Sequence, residues 1–549
     1  MVLSLPVSLA FDGRHRGRWG AVLAGVGISA VVFALYVRTL APTVLGFDPP
    51  EVFDSSMLQA AVYVLGIGHP TGYPTYMMLT HLFTYLPVGD IAYRVNLASA
   101  VYGVAAVVVV YAAGLRLGGR VLAAAAGALA FGVSETFWSQ ATIAEVYTLN
   151  ALFISLIVFA LLLWRDSGRD RYLLLGAFLA GLSLTHHLTS ALLVPAGVAF
   201  VLLTDRRKLS ARAVLPKAAG LFVVGLIPYL YLPLRAAMEA PLNEADPSTP
   251  GRFLLLISGG SFFLKNLTDA RTGGGAPDPT GGLQPVLENL LSRLGPYGEH
   301  LFGQFPVVLL LVGVFGAVYL VSTDRAAAVL LGVPFLGSLV HGIVYGYEDF
   351  YLFLIPAYLI FALWMAVGLG VVLRRAERWA ERIPAFRRAF LLALSVLVLA
   401  LPFIGIWDTY REEDRSRDYE GRRAIEAVVR DVEPGATVLH HRSSLWYMVL
   451  VEERRRDLTL IDPFETSWVR YNDIVWPDNL DATESAARYK TDDVTGARTA
   501  RVVVKTGPVY VLDPESADAS RLREAGFDLV RVDENTRLYE LIPRRTGSP

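Results

Sequence analysis

The 549-residue sequence contains no cysteine. Disulfides, thiolate nucleophiles and cysteine metal sites are therefore excluded, and the absence fits either face of a membrane. Charge is scarce as well: Asp, Glu, Lys and Arg make up 18%, where a soluble globular chain carries about a quarter. Apolar residues take their place. They are 54% of the chain, mean hydropathy is +0.45, and runs long enough to cross a bilayer recur from residue 20 to about residue 408. The expected fold is an α-helical polytopic membrane protein with roughly eleven transmembrane helices. The net charge of −1 identifies no partner, because the charges are unevenly placed, and no nucleic acid is expected.

Sidedness follows from the basic residues. Arg14, Arg16 and Arg18 precede the first span with no small-residue cleavage site behind them. Residues 1–19 thus read as a cytoplasmic tail leading into an uncleaved helix. With that parity Arg116 and Arg120, then Arg165, Arg169 and Arg171, then Arg206, Arg207 and Lys208, then Arg325 and the run Arg374 to Arg388 all fall inside. The polar motifs fall outside. Tyr172–Leu203, broken at Thr185-His186-His187, reads as two short spans meeting outside. Composition changes near Trp407, which divides a membrane domain over 20–408 from a charge-rich extracytoplasmic domain over 409–549. There GATVLH, LTLID, VYVLD, FDLVRV and RLYELI are strand-like, with helices expected over Ser443–Arg455 and Pro514–Ala525, an α/β pattern. No glycine-rich phosphate loop follows the first strand, so no nucleotide site is implied.

The external loop 41–96, between the first two long spans, concentrates the chemistry. It carries Asp48, Glu51, Asp54, His69, His81, Asp90 and Arg94, and the rigid run His69-Pro70-Thr71-Gly72-Tyr73-Pro74. Polar groups gathered at one end of a membrane bundle usually mark a site. Asp48 or Glu51 can act as general base towards a hydroxyl or hold a divalent cation, magnesium or manganese; both can equally cap a helix that starts near Pro49-Pro50. Asp54, one turn further, reads as solvated. Val52–Val64 has the spacing of a helix lying in the interface. His69 can orient a substrate, and Tyr73 is an interfacial aromatic. Arg94 and Arg235 are arginines on the outer side, suited to a phosphate or to the loop carboxylates. Glu145, His187 and Asp349 come from three further outer turns. Adjacent His186 and His187 without a clear third ligand are a weak metal signal.

At these residues the sequence resembles the membrane family related to protein O-mannosyltransferases, of GT-C glycosyltransferase type. An Asp-Ser-Gly-Glu-like element stands as Asp48-Pro49-Pro50-Glu51, and a His-Pro-Pro-Gly-Tyr-Pro-like element as His69 to Pro74. The likeness continues through Arg94-Val95-Asn96, Ala144 to Tyr147, Gly181-Leu182-Ser183 with His187, Tyr231 to Ala236 and Tyr351 to Pro356. It departs at Pro49-Pro50 and at Asn243 to Asp246, where the family has an Asn-Trp-Gly-like element. The resemblance implies transfer of a sugar, mannose first, from a polyprenyl-phosphate carrier to a hydroxyl of a protein, lipid or glycan, with inversion, at the extracytoplasmic face. Asp48 or Glu51 would be the base. Arg94, Arg235 and His69 would meet the leaving phosphate, with Tyr73, Glu145, His187 and Asp349 in the substrate site. A transporter or flippase is the rival class; it calls for polar residues deep in several spans and inverted repeats, and neither is evident. A non-catalytic scaffold is the third.

Overall fold

A computed structural model describes residues 14–46, 54–210, 214–244, 246–260, 283–344, 349–461, 468–471, 474–475, 507–514, 516–533 and 535–544. Among these, eight helices are long and apolar enough to cross a membrane, or ten if each of two bent pairs counts as one span. The roughly eleven spans expected from hydropathy shrink for identifiable reasons. The expected third span is two helices, α5 (Val121–Gly132) and α6 (Glu135–Ala141), bent by 66°. Another, α11 (Val307–Thr323), meets the preceding helix at 99° across Pro306, a residue that cannot continue a helix donor ladder. The break at Thr185 to His187 is where the sequence places it, between α8 (Asp170–Leu184) and the turn that starts at Leu188.

The hub of the bundle is α13 (Ile355–Ala380), buried over almost its whole apolar length. It packs on α4 (Ile91–Gly118), α5, α11 and α12 (Arg325–Val344). Lipid supplies no hydrophobic drive between helices, so close backbone approach matters more there. Gly316 and Gly368 provide it: a methyl on Gly316 would sit 1.9 Å from the Trp364 carbonyl oxygen, and one on Gly368 2.2 Å from that of Val312. At one end of the bundle the basic residues expected inside are tied together. Arg116 pairs with Asp166 at 3.5 Å, Arg120 with Glu377 at 2.6 Å and Arg165 with Asp324 at 2.6 Å.

The opposite end carries the short elements of the external loop. Helix α2 (Ser55–Val64) is the clearest departure from expectation. Ser55 to Val62 are all buried, so it is a core element and not an interfacial helix. It packs between α4, α3 (Pro74–His81) and a helix of the C-terminal domain. Its first two turns are buried on every face, and apolar spacing alone does not say what covers the second face.

Beyond the last span, the C-terminal domain is a five-stranded sheet. Its strands are β1 (Thr437–Leu439), β2 (Thr459–Ile461), β3 (Val509–Leu512), β4 (Phe527–Arg531) and β5 (Leu538–Pro543), in the order β2-β1-β3-β5-β4. The first three are parallel and the last two pair antiparallel. All five coincide with the strand-like runs of the sequence. Helices α14 (Glu420–Asp431) and α15 (Leu445–Leu450) join this sheet to the bundle. Arg422 reaches Asp90 at 3.3 Å, and the Tyr447 hydroxyl accepts from the Ala92 amide at 3.2 Å.

Candidate active site

The loop after α1 (Arg14–Thr39) is fixed by buried amides. Asn96 donates to the Ala41 carbonyl at 3.0 Å, and Gln59 donates to Asn96 at 2.8 Å. That anchors α2, whose N-cap residue is Asp54. The run after α2 turns sharply. Gly72, at φ +79°, donates its amide to the His69 carbonyl at 2.6 Å, and a methyl there would meet Leu232 at 2.8 Å. Only glycine fits both constraints. The turn delivers His69 and Tyr73 to the face where Asp54 lies, and Pro74 starts α3 at its first position.

Asp54 is the centre of what results. Its Oδ1 accepts from Arg442 Nη1 at 2.5 Å, and its Oδ2 lies 3.4 Å from His69 Nε2. The same His69 nitrogen is 3.0 Å from the Tyr73 hydroxyl. Arg442 Nη2 reaches Glu244 Oε2 at 3.3 Å. Burial pushes the Asp54 carboxyl up, but His69 and Arg442 together outweigh it and hold the group below the ordinary aspartate value. Burial holds the His69 imidazole down at about 4, against the pull of Asp54. At neutral pH the site therefore has an ionised Asp54 beside a neutral imidazole.

Glu145 forms the second layer. It is 4% exposed, accepts from the Val146 amide at 3.2 Å, and takes the Ser55 hydroxyl at 3.4 Å. Burial and then the charge of Asp54 raise its carboxyl well above the ordinary glutamate value. Two neighbouring carboxyls are thus pushed apart, Asp54 downwards and Glu145 upwards, a pattern that allows separate acid and base roles. Rings line the rest. Tyr73 sits 5.0 Å from His69 and 6.2 Å, stacked, from His187. His187 in turn meets Tyr147 at 5.7 Å and Phe353 at 5.9 Å. The charge of Asp349 is felt at both Tyr73 and Glu145.

Of the residues singled out in the sequence, His69, Tyr73, Glu145, His187 and Asp349 are gathered here. Asp48 and Glu51 lie outside the described residues. Arg94 and Arg235 are employed on backbone: Arg94 donates to the carbonyls of Thr84, Val88 and Gly89, and Arg235 to those of Val64 and Leu65. Asp54 is corrected from solvated to ion-paired. Arg442 and Glu244 were not foreseen, since nothing local announces a partner 388 residues away. Among the described residues no three His, Asp or Glu side chains are grouped so as to hold a metal ion. A cleft of about 200 Å³ opens near the helix bends, lined by Glu135, Gln304, Pro306 and Thr409 among others, and none of the Asp54 cluster lines it.

The family model described as the Protein O-mannosyl-transferase TMEM260 N-terminal domain matches residues 54–210. The chain resembles the protein O-mannosyltransferase-related family. It is 31% identical over 248 residues to Protein O-mannosyl-transferase TMEM260 of Mus musculus, covering 43% of this chain and 34% of that protein. It is 24% identical over 216 residues to Protein O-mannosyl-transferase tmem260 of Dictyostelium discoideum, covering 36% of this chain and 26% of that one. The match thus spans about a third or less of these relatives. In architecture it is similar to ArnT from Cupriavidus metallidurans bound to undecaprenyl phosphate, with TM-score 0.55, 15% identity, and 95% and 98% of the two chains covered. It is similar also to the Archaeoglobus fulgidus oligosaccharyltransferase, with TM-score 0.50, 13% identity, and 80% and 64% covered. The fold is GT-C-like, a multi-span membrane domain with a sheet domain after it. The match to the family begins at Asp54, past both Asp48 and Glu51.

Proposed function

We propose that the chain is a membrane glycosyltransferase that moves a sugar, mannose first, from a polyprenyl-phosphate carrier to a hydroxyl acceptor at the extracytoplasmic face. The observation that carries this reading is the Asp54 carboxylate, ionised and aimed by Arg442 beside a neutral His69, at the start of the segment matched by the family. A carrier's lipid tail stays in the bilayer, so the reaction has to occur where a bundle end meets water. The charge-rich end with Arg116, Arg120 and Arg165 suits the cytoplasm by the positive-inside bias, which favours the opposite end for the site.

In this reading Asp54 Oδ2 takes the proton of the acceptor hydroxyl. The acceptor oxygen bonds to the anomeric carbon as that carbon's bond to the phosphate oxygen breaks. The polyprenyl phosphate leaves with the electron pair, and the anomeric carbon is inverted. General-base help of this kind contributes about 10²–10⁴ in rate. The Tyr73, His187 and Phe353 rings suit a neutral sugar more than a charged one.

The test is transfer from radiolabelled polyprenyl-phosphate mannose in membranes, comparing wild type with Asp54→Asn, Asp48→Asn and Glu51→Gln at equal levels. Loss of about a hundredfold or more in the Asp54 variant alone, in line with loss of a general base, supports the reading. Loss only in an Asp48 or Glu51 variant moves the base there. Transfer at the wild-type rate by all three removes the site.

A further inference from the structure

We infer that Arg442, carried by the C-terminal sheet domain, is a positioning residue for Asp54, so that the soluble domain completes the membrane site. The inference rests on the transferase reading above.

Arg442 lies in the loop that joins β1 to α15. The loop is held by internal bonds: the His440 amide donates to the Ile461 carbonyl at 2.9 Å, His440 Nδ1 is 2.9 Å from the Ser443 hydroxyl, and the Leu445 amide donates to that hydroxyl at 3.2 Å. Arg442 itself has φ +37°, a conformation uncommon for residues other than glycine, asparagine and aspartate. Its carbonyl accepts the Ser56 hydroxyl at 2.6 Å, which pins the loop to the first turn of α2. The arginine is only 6% exposed. A buried guanidinium is costly unless paired, and here it is paired twice: with Asp54 and with Glu244, from a third part of the chain.

The consequence for Asp54 is directional. Arg442 occupies Oδ1 and leaves Oδ2 towards His69, so one oxygen is held and the other is available to take a proton. Fixing a base in its working rotamer is a large part of catalytic positioning. The groups that face Asp54 are Arg442, His69 and His441, with Glu145 and Tyr73 behind. Without Arg442, burial acts on the carboxyl with less opposition, and its titration moves up.

Simple docking of the domain by Arg442 would lower stability without touching the base, and the experiment separates the two. In the full-length protein, with radiolabelled polyprenyl-phosphate mannose, Arg442→Met should lose about a hundredfold in kcat, the scale of a misplaced general base, with little change in donor KM. The acidic limb of its rate profile should move to higher pH. Arg442→Lys, which keeps the charge but not the two-carboxylate fork, should restore part of the rate and the limb. Glu244→Gln should lower the melting temperature without moving the limb. An Arg442→Met protein that is folded and keeps both the wild-type kcat and the wild-type limb overturns the inference. If the wild type transfers no label, the transferase reading falls, and a melting cycle of Asp54→Asn with Arg442→Met decides the pairing: non-additive losses support it and additive losses overturn it.

Discussion

Arg235 donates through Nε to the carbonyl of Leu65, 170 residues away, at 2.7 Å. A second bond, from Nη2 to Val64 at 3.0 Å, makes the guanidinium a cap on the C-terminal end of α2. The last carbonyls of a helix have no partner within it, and a buried helix cannot give them to water. Arg235→Ala should therefore destabilise by about 2 kcal/mol, the scale of lost bonds to a charged group. Donor KM should stay near wild type. A melt unchanged from wild type with a raised donor KM would instead make Arg235 a phosphate ligand.

His69 sets a pH dependence of stability. Its imidazole titrates near 4 in the fold, against an ordinary value of 6.5, because of burial first, with Asp54 opposing. Below pH 6.5 the unfolded chain gains a proton that the fold refuses until about pH 4. Stability is therefore complete above 6.5 and is lost as pH falls across that window, by roughly 3 kcal/mol at most from this group. His186 is held at about 4 by burial as well and adds to the slope. Melting temperature measured from pH 7 to 4.5 should fall less steeply in His69→Gln than in wild type. Equal slopes would mean that the ring is not neutral in the fold.

Glu145 works in the opposite sense. Burial, with Asp54 adding, raises its carboxyl above the ordinary value of 4.5. Its favourable protonated state is complete below that value and is lost as pH rises through the raised one. Glu145→Gln is neutral at every pH, and its oxygen can still accept from Ser55 and Val146. The variant should match wild type in acid and exceed it in melting temperature at pH 8. A variant that is less stable at pH 8 would show that the ionised carboxylate is the favoured form.

Hydropathy made most of the membrane domain readable, because a span must be apolar along its length, and the five short strands of the C-terminal sheet stood out by alternation. The bends at Val133 and Pro306 did not, since a broken span and a straight one have the same composition. At the site, the turn His69 to Pro74 was visible in its glycine and prolines. Asp54 was set aside because its partner comes from another domain. Arg235 satisfies carbonyls 170 residues away that only the fold brings near, and Arg94 turns back on the loop just before it; neither use shows in the sequence.

Asp90 is a further tie between the membrane bundle and the sheet domain, and it is used twice. Its Oδ1 accepts the Tyr93 amide at 2.8 Å and caps α4. Its Oδ2 takes the Thr43 hydroxyl at 2.5 Å and the Arg422 guanidinium at 3.3 Å. Arg422 also pairs with Glu452 and donates to Thr43 at 3.2 Å, so one arginine of the sheet domain grips the loop and the helix start together. The pair is partly exposed, so Arg422→Ala should cost only about 1 kcal/mol. Asp90→Ala should cost about 1 kcal/mol more, because the helix cap goes with it. The double variant should lose less than the sum, since both singles break the same contact. Limited proteolysis should cut the segment between the last span and α14 faster in each variant than in wild type. Additive losses with an unchanged cleavage rate would mean that Asp90 holds α4 but not the domain.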